Sequence, residues 1–230
     1  MRKIGLVGGT GPESTLMYYK ELNSRIDAIT GSQTMPDIAI ESVDFRRAWR
    51  YVSEERYGLL ADYLTEKLDN LIKGGAEVVS LSAVTMHVVF DEISSRISYP
   101  LISIPGAVRD HILANNIKRV GLLGTLYTME MDYMRKPLQE AGIGVAIPSA
   151  SERSLIGKRI FEELENGIVK ESTLAEFRNI INRMKDEEGI EAVILGCTEL
   201  PLLLNSGNCP VTCLDSVDIH IAKLIEEAMR

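Results

Sequence analysis

The sequence predicts an α/β fold made of two similar units, each containing a parallel β-sheet. Short apolar runs alternate with longer stretches of helical period, which is typical of parallel strands joined by crossover helices. The runs are apolar at consecutive positions, as expected for strands covered by helices on both faces. Three segments of the first half also recur in the second half, in the same order and at nearly the same spacing.

Eight short apolar runs are the predicted strands. They are Ile4–Val7, Ile38–Ile40, Val78–Leu81, Leu101–Ile104, Val120–Leu123, Val145–Ile147, Ala192–Leu195 and Val211–Cys213. Between them lie amphipathic stretches with helical spacing. The clearest of these are Arg56–Lys73, Thr85–Ile97, Ser151–Leu164, Leu174–Glu188 and Val217–Met229.

The internal repeat divides the strands into two sets. The matching segments are Ile4–Thr10 with Val120–Leu126, Gly75–Thr85 with Gly189–Glu199, and Pro100–Ser103 with Pro210–Cys213. We expect an N-terminal α/β unit of residues 1–104 plus 206–230 and a second α/β unit of residues 105–205. Both would be Rossmann-like and related by a pseudo-twofold axis. The alternative is that strand-and-loop units resemble one another by composition alone.

Composition narrows the class of protein. The 230 residues carry 33 acidic and 25 basic side chains, and the net charge of −8 argues against general nucleic-acid binding. No apolar run reaches the roughly 18–20 residues of a membrane helix. The three cysteines form neither a disulfide framework nor a zinc-ligand spacing. We expect a soluble, cytoplasmic protein with no metal and no membrane or nucleic-acid partner.

The loops that follow parallel strands carry the functional site in α/β proteins. Here these loops begin at Gly8, Ala83, Thr125 and Cys197. We expect them to converge on a cleft between the two units, since pockets favour domain interfaces. The repeat aligns position 83 with Cys197 and predicts that the two face each other.

Cys197 is the strongest candidate for a reactive side chain. It lies in the segment Leu195–Pro201, between a buried strand and a helical start. A thiol at a helix N-terminus is expected to have a lowered pKa, and Thr198 could cap that helix or contact a bound carboxylate. The other two cysteines, Cys209 and Cys213, bracket the last strand and are interpreted as packing residues.

The glycine-rich segment Gly8–Ser14 follows the first strand and opens a helix. A dinucleotide fingerprint would place its third glycine at Ser14, and Pro12 removes an amide donor, so the fingerprint is incomplete. The loop could still hold a small carboxylate, or it could be only a tight turn with positive φ. A nucleotide-binding protein with Glu41 as the ribose-binding acid is a less favoured alternative.

Other loop residues are candidates for binding or positioning. Thr85 is predicted to cap the helix that begins there, and His87 could be an acid–base group or a structural hydrogen-bonding residue. The hydroxyls of Thr125 and Thr128 could hold a carboxylate or an amine, or could finish a turn. Arg47 could clamp an anionic substrate.

Four ordered motifs suggest a family. They are Gly8-Gly9-x-Gly11-Pro12-x-Ser14-Thr15, Thr85-Met86-His87, Gly124-Thr125-x-Tyr127-Thr128-Met129 and Gly196-Cys197-Thr198-Glu199. Together they resemble the aspartate/glutamate racemase family, within the wider Asp/Glu/hydantoin racemase group. The resemblance implies a homodimer without pyridoxal phosphate or metal. It also implies two cysteines that exchange protons with opposite faces of the substrate α-carbon.

The chain departs from this pattern at the first cysteine. Where the family reads Cys-Asn-Thr-x-His, this chain has Ala83, Val84, Thr85, Met86 and His87. Ala83 cannot carry a proton, and Val84 cannot hydrogen-bond a carboxylate. Loss of one positioned acid–base group costs about 10²–10⁴ in rate.

Nor does this chain carry the lysine with which some family members bind an acidic side chain, because Glu165 stands at that position. A preference for acidic substrates is therefore open.

We therefore expect a cofactor-independent amino-acid racemase that lacks one of its two usual thiols. The catalytic candidates are Cys197, Thr85 and the position of Ala83, and the substrate-binding candidates are Gly8, Gly9, Thr10, Val84, Thr125, Thr128, Thr198 and Arg47. Water, Thr85 or His87 could replace the absent thiol. The alternatives are a one-thiol decarboxylase resembling arylmalonate decarboxylase, and an amino-acid-binding relative with weak or no activity.

Overall fold

The computed structural model describes all 230 residues and divides them into two compact units. The first unit comprises Met1–Ile104 with His220–Arg230, and the second comprises Pro105–Ile219. The predicted return to the first unit at residue 206 differs from this division. Residues 206–219 belong to the second unit because the last strand pairs within the second sheet.

The sheet of the first unit has four parallel strands. They are β1 (Ile4–Gly8), β2 (Ile38–Ser42), β3 (Val78–Leu81) and β4 (Leu101–Ile102). Their spatial order is β2-β1-β3-β4. The strand predicted for residues 101–104 stops at Ile102, because a helix with Pro105 in its first turn begins at Ile104.

The sheet of the second unit repeats this order. Its strands are β5 (Arg119–Leu123), β6 (Gly144–Ala146), β7 (Ala192–Leu195) and β8 (Thr212–Asp215), arranged β6-β5-β7-β8 and all parallel. The prediction of an α/β fold with two similar units and parallel sheets is confirmed. The strand predicted for residues 211–213 runs instead from Thr212 to Asp215, a small shift of the kind expected at element boundaries.

Helices connect the strands of both sheets. They are α1 (Pro12–Ile29), α2 (Phe45–Ser53), α3 (Tyr57–Lys73), α4 (Phe90–Arg96), α5 (Ile104–Ala114), α6 (Leu126–Glu130), α7 (Asp132–Glu140), α8 (Ala150–Glu162), α9 (Glu171–Glu188), α10 (Leu200–Leu203) and α11 (Ser216–Met229). Two short 3₁₀ helices cover Val84–Val89 and Leu164–Asn166. None of the helices is both long enough and apolar enough to span a bilayer.

The helix predicted to begin at Thr85 is two elements, and Thr85 does not cap it. A 3₁₀ helix begins at Val84 after the extended residue Ala83, and α4 follows from Phe90. The His87 ring nitrogen Nδ1 lies 3.0 Å from the carbonyl oxygen of Ala83 and 3.2 Å from that of Val84. These contacts occupy carbonyls that an α-helix would use for its own first turn, which favours the tighter 3₁₀ geometry.

Two fully buried histidines stabilise the first unit in their neutral form. The Nδ1 atom of His220 lies 2.6 Å from the Tyr18 hydroxyl, and Nε2 lies 2.9 Å from the Ser80 hydroxyl. In the other histidine, His87, Nε2 accepts the backbone N–H of Ile104 at 3.1 Å, so Nδ1 carries the ring proton. Burial lowers the pKa of His87 to about 4 and that of His220 to about 3.

These histidines predict acid sensitivity in a defined range. Because both folded-state pKa values lie below the ordinary 6.5, the unfolded chain takes up protons first as the pH falls. Each histidine therefore lowers the free energy of unfolding by up to about 1.4 kcal/mol for each pH unit below 6.5. Denaturant titrations between pH 6.5 and 5 measure this slope.

The substitution His220→Gln should reduce that slope by about half. The matched control is His111→Gln, because His111 is only partly buried; this change should leave the slope intact. Equal slopes in the parent protein and in His220→Gln would contradict the assignment.

Candidate functional site

The loop after β7 holds Cys197 against a carboxylate. The thiol Sγ donates a hydrogen bond to Glu199 Oε2 at 2.7 Å, and Cys197 is 9% exposed. The Thr198 hydroxyl donates to the other oxygen, Oε1, at 2.7 Å. Capping of α10 was one of two roles that the sequence suggested for Thr198. Thr198 does not cap α10, because Glu199 occupies the cap position and makes no side-chain capping bond.

The environment of Cys197 keeps its thiol protonated. Burial, followed by the negative charge and hydrogen bond of Glu199 and the charge of Glu165, raises the pKa of the thiol well above its ordinary value. The sequence predicted a lowered pKa from the following helix. That helix, α10, has only four residues and supplies little dipole, so burial and the carboxylate dominate.

The polar side chains of the loop after β5 are largely occupied by hydrogen bonds to one another. Thr125 caps α6, and its hydroxyl accepts the N–H of Thr128 at 3.3 Å. Thr128 is fully buried, with its hydroxyl 3.2 Å from that of Thr125 and 3.0 Å from that of Tyr133. Thr125 is half-buried and presents the more accessible hydroxyl. The structure thus gives Thr128 an internal position, where it orients Thr125.

Close packing joins this loop to the Cys197 loop. A side chain at Gly196 would place its Cβ 2.8 Å from Thr128 Cγ2 and 2.9 Å from the Leu123 carbonyl oxygen. A Cβ at Gly124 would likewise lie 2.9 Å from Thr128. The two glycines thus let the loops approach each other closely, and this packing fixes the backbone position of Cys197.

In the first unit, the glycine-rich loop leaves one polar atom without a partner. Gly9 has φ = +81°, and its N–H donates to the Thr15 hydroxyl at 2.9 Å. This amide is therefore not available to hold a carboxylate, as the sequence suggested it might be. Thr10 is 9% exposed, and its hydroxyl is buried without a hydrogen-bond partner. A buried unsatisfied hydroxyl costs free energy unless a ligand completes it.

The loop after β3 contains no proton-carrying group at the position aligned with Cys197. The Ser14 hydroxyl donates to the Ser82 carbonyl oxygen at 2.7 Å, which ties the β1 and β3 loops together. Ala83 is half-buried and Val84 is 7% exposed. Thr85 is half-buried.

The sequence left open whether His87 is structural or an acid–base group. Both of its ring nitrogens are engaged by backbone groups, and it is 1% exposed. The ring is therefore a structural element of this loop.

Arg47 lies in the first turn of α2, after β2, and stacks on aromatic rings. Its guanidinium carbon is 4.2 Å from the centroid of Tyr63, and Nε donates to the Tyr51 hydroxyl at 3.1 Å. The hydrogen bond to Tyr51 raises its pKa. The stack holds a permanent cation at the carboxyl end of β2.

Two residues that shape the site, Glu199 and Tyr133, were not predicted from the sequence. In the sequence, Glu199 is recognisable only as the last residue of the Gly-Cys-Thr-Glu motif, two positions after Cys197. The direction of its side chain depends on the turn between these two residues. Tyr133 bonds Thr128 from α7, and no sequence pattern marks it. No group of three or more His, Cys, Asp or Glu side chains is placed to hold a metal ion.

Comparison with known proteins identifies the family. Residues 7–224 match the family model described as Asp/Glu/Hydantoin racemase. The chain belongs to this family. The predicted resemblance to Asp/Glu racemases is thereby confirmed.

Solved structures of related proteins support the same assignment. A candidate Asp/Glu racemase from Yersinia pestis is 33% identical with a TM-score of 0.95, and each chain is covered in full. An aspartate racemase homologue from Pyrococcus horikoshii OT3 is 37% identical with a TM-score of 0.89, again with full coverage of both chains.

A more distant relative is a glutamate racemase from Actinobacillus pleuropneumoniae. It is 23% identical over 116 residues, which are 50% of this chain and 42% of the relative. The matched segment thus spans less than half of that enzyme.

The Cys197–Glu199 contact predicts a measurable shift in thiol acidity. Glu199→Gln removes the negative charge beside the thiol and should lower the pKa of Cys197. Iodoacetamide alkylation of Cys197 should then reach its half-maximal rate at a lower pH than in the parent protein. Peptide mapping after chymotryptic cleavage at Leu202, Leu203 or Leu204, which both proteins contain, separates Cys197 from the other two cysteines.

The matched control for this experiment is Glu162→Gln. Glu162 is an exposed carboxylate at the end of α8, and its replacement should not move the alkylation profile of Cys197. A profile that shifts equally in both variants, or in neither, would contradict the contact.

Proposed function

We propose that this protein is a cofactor-independent amino-acid racemase that acts by proton transfer at the substrate α-carbon with a single catalytic thiol, Cys197. The observation that carries the proposal is the buried thiol hydrogen-bonded to Glu199 at the carboxyl end of β7. Membership of the Asp/Glu/hydantoin racemase family supplies the reaction class.

In this proposal Glu199 lets one thiol work in both directions. A protonated thiol can deliver a proton to a carbanion directly. To act as a base, Cys197 must first give its proton to Glu199 Oε2, which lies 2.7 Å away. A substrate ammonium group brought near the pair would favour the thiolate by its charge. The thiolate then takes the α-proton, and Glu199 returns the first proton when the cycle reverses.

In this proposal the first unit supplies the weaker of the two proton-transfer groups. Ala83 has no side-chain group that can exchange a proton, and both ring nitrogens of His87 are hydrogen-bonded to backbone groups. Of the alternatives that the sequence left open, Thr85 or a water then remains to relay a proton. We assign Thr85 this role, and inversion should be slow because a hydroxyl is a weak acid and base.

Ala83 and Val84 favour a second candidate, a one-thiol decarboxylase of the arylmalonate decarboxylase type. The bond between carbon and carboxylate would break, carbon dioxide would leave, and the Cys197 thiol would protonate the resulting carbanion. This route needs no second base. A buried apolar side chain such as Val84 suits a departing carboxylate, because desolvation destabilises its charge.

Substrate binding is proposed for polar groups that their own loops leave free to contact a ligand. The buried, unpartnered Thr10 hydroxyl, with Gly8 and Gly9 shaping its loop, would donate a hydrogen bond to the α-carboxylate. Thr125 and Thr198 would contact the carboxylate or the ammonium group. Independence from pyridoxal phosphate, a homodimeric assembly and a cytoplasmic location belong to the same proposal and follow from the family resemblance.

Restoring the first thiol tests the proposal. Ala83→Cys should increase the rate of racemisation of aspartate or glutamate by about 10²–10⁴, since it supplies a second positioned acid–base group. Chiral chromatography of each enantiomer measures the rate. Ala83→Ser is the matched control, because it has nearly the same volume without a thiol and should raise the rate far less.

Three other outcomes would count against the racemase. Equal rates for Ala83→Cys and Ala83→Ser would contradict it. So would racemisation that survives Cys197→Ser at full rate. Release of carbon dioxide from a malonate, with no effect on any amino acid, would favour the decarboxylase instead.

The role proposed for Arg47 has its own test. Arg47→Ala should raise KM for acidic amino acids by about tenfold, because it removes a charge-assisted hydrogen bond to the side-chain carboxylate of the substrate. Neutral amino acids should be unaffected. The adjacent exposed Arg46 provides the control substitution, Arg46→Ala. A uniform change for acidic and neutral substrates would contradict a specific contact.

A further inference from the structure

The second unit contains a pair of cysteines on the edge of its sheet opposite to Cys197. Cys209 and Cys213 line a cavity of about 490 Å³ at the amino ends of β7 and β8, together with Lys185, Ile190 and Val211. Both cysteines are free and half-buried. The cavity gives a small solute access to sulfur atoms that the sequence suggested were only packing residues.

Hydrogen bonds fix the turn that carries Cys209, and strand pairing fixes Cys213. The N–H of Cys209 donates to the Asn205 carbonyl oxygen at 3.0 Å, and the Asn208 side chain accepts the Asn205 N–H at 2.9 Å. Cys213 lies in β8 and pairs with Val193 of β7. The chain bends between the two cysteines and brings the Cys213 thiol into hydrogen-bonding contact with the Cys209 sulfur.

The two thiols differ in acidity. The hydrogen bond from Cys213, a second one from the Val211 backbone and the positive charge of Arg178 lower the pKa of Cys209 to about 7. The same contact with Cys209, together with burial, raises the pKa of Cys213. The pair therefore consists of a partly ionised nucleophile and a neighbouring protonated thiol, which is the arrangement of reactive dithiols.

We propose that Cys209 and Cys213 form a redox-active dithiol that hydrogen peroxide entering the adjacent cavity converts to an intramolecular disulfide. The Cys209 thiolate attacks one peroxide oxygen, the O–O bond breaks, and hydroxide leaves and is protonated by solvent. Cys209 is then a sulfenic acid. The Cys213 sulfur attacks it, the S–O bond breaks, and the hydroxyl leaves with the Cys213 proton as water. The two thiols lose two electrons, and the peroxide is reduced to two waters.

This reactivity is distinct from that of Cys197. The pKa of Cys197 is raised by burial and by Glu199, so its thiol stays protonated where Cys209 is half ionised. Oxidation should therefore select the pair Cys209 and Cys213 and leave Cys197 reduced. Any thiol can later restore the pair by disulfide exchange.

Mild oxidation of the full, reduced chain tests the proposal. The protein is treated with hydrogen peroxide near pH 7, remaining thiols are blocked with N-ethylmaleimide, and the chain is cleaved at glutamate and aspartate. The fragment from Leu200 to Asp215 contains both cysteines and excludes Cys197. It should lose two hydrogen atoms and take up no N-ethylmaleimide, whereas Cys197 should be labelled.

Two single substitutions separate the roles of the pair. In Cys213→Ala, alkylation of Cys209 near pH 7 should slow by about threefold to tenfold, because the donor that stabilises the thiolate is gone. Peroxide should then leave Cys209 as a sulfenic acid that dimedone captures. In Cys209→Ala, Cys213 should react with peroxide more slowly than Cys209 does in Cys213→Ala, because burial still raises the pKa of Cys213. Circular dichroism spectra equal to the parent's show that both variants are folded.

Other results would overturn the proposal. These are an absence of the intramolecular disulfide, oxidation that falls first on Cys197, a disulfide between two chains, or equal alkylation of Cys209 with and without Cys213. The readouts concern thiol chemistry alone, so they are independent of the proposed racemase activity.

Discussion

The hydrogen bond from the Cys197 thiol to the Glu199 carboxylate is the constraint on which the proposed chemistry of this protein depends. Burial alone would make the thiol a weak acid, and the carboxylate beside it strengthens that effect. In the proposed reaction, the same carboxylate accepts the proton that the thiol loses. The one contact would then keep the thiol protonated in the free protein and provide the route by which the proton leaves.

The fold repeats its scaffold but not its functional groups. Both sheets have the same strand order, and both place loops at the carboxyl ends of their first and third strands. In the second unit the third-strand loop carries Cys197. In the first unit the equivalent loop carries Ala83, and His87 is used to stabilise the backbone. The two equivalent loops therefore differ in whether they carry a thiol.

Much of this architecture could be predicted because parallel strands leave a clear signal. The apolar runs, the repeat and the order of the loops all follow from periodicity and spacing. The sequence did not predict the split of the helix at residues 84–96, because it arises from a side chain, His87, folding back onto two carbonyls. It also gave the wrong direction for the acidity of Cys197. That sign depends on how short α10 is and on where Glu199 points, and both are three-dimensional properties.

The most direct test of the central claim follows the α-proton itself. Each enantiomer of aspartate and glutamate is incubated with the protein in deuterated buffer, and nuclear magnetic resonance records the loss of the α-proton signal alongside the optical purity. A single-thiol racemase predicts that one enantiomer exchanges its α-proton faster than it inverts, and that Cys197→Ser abolishes this exchange. Exchange that persists without the Cys197 thiol, or no exchange from any amino acid, would contradict the account.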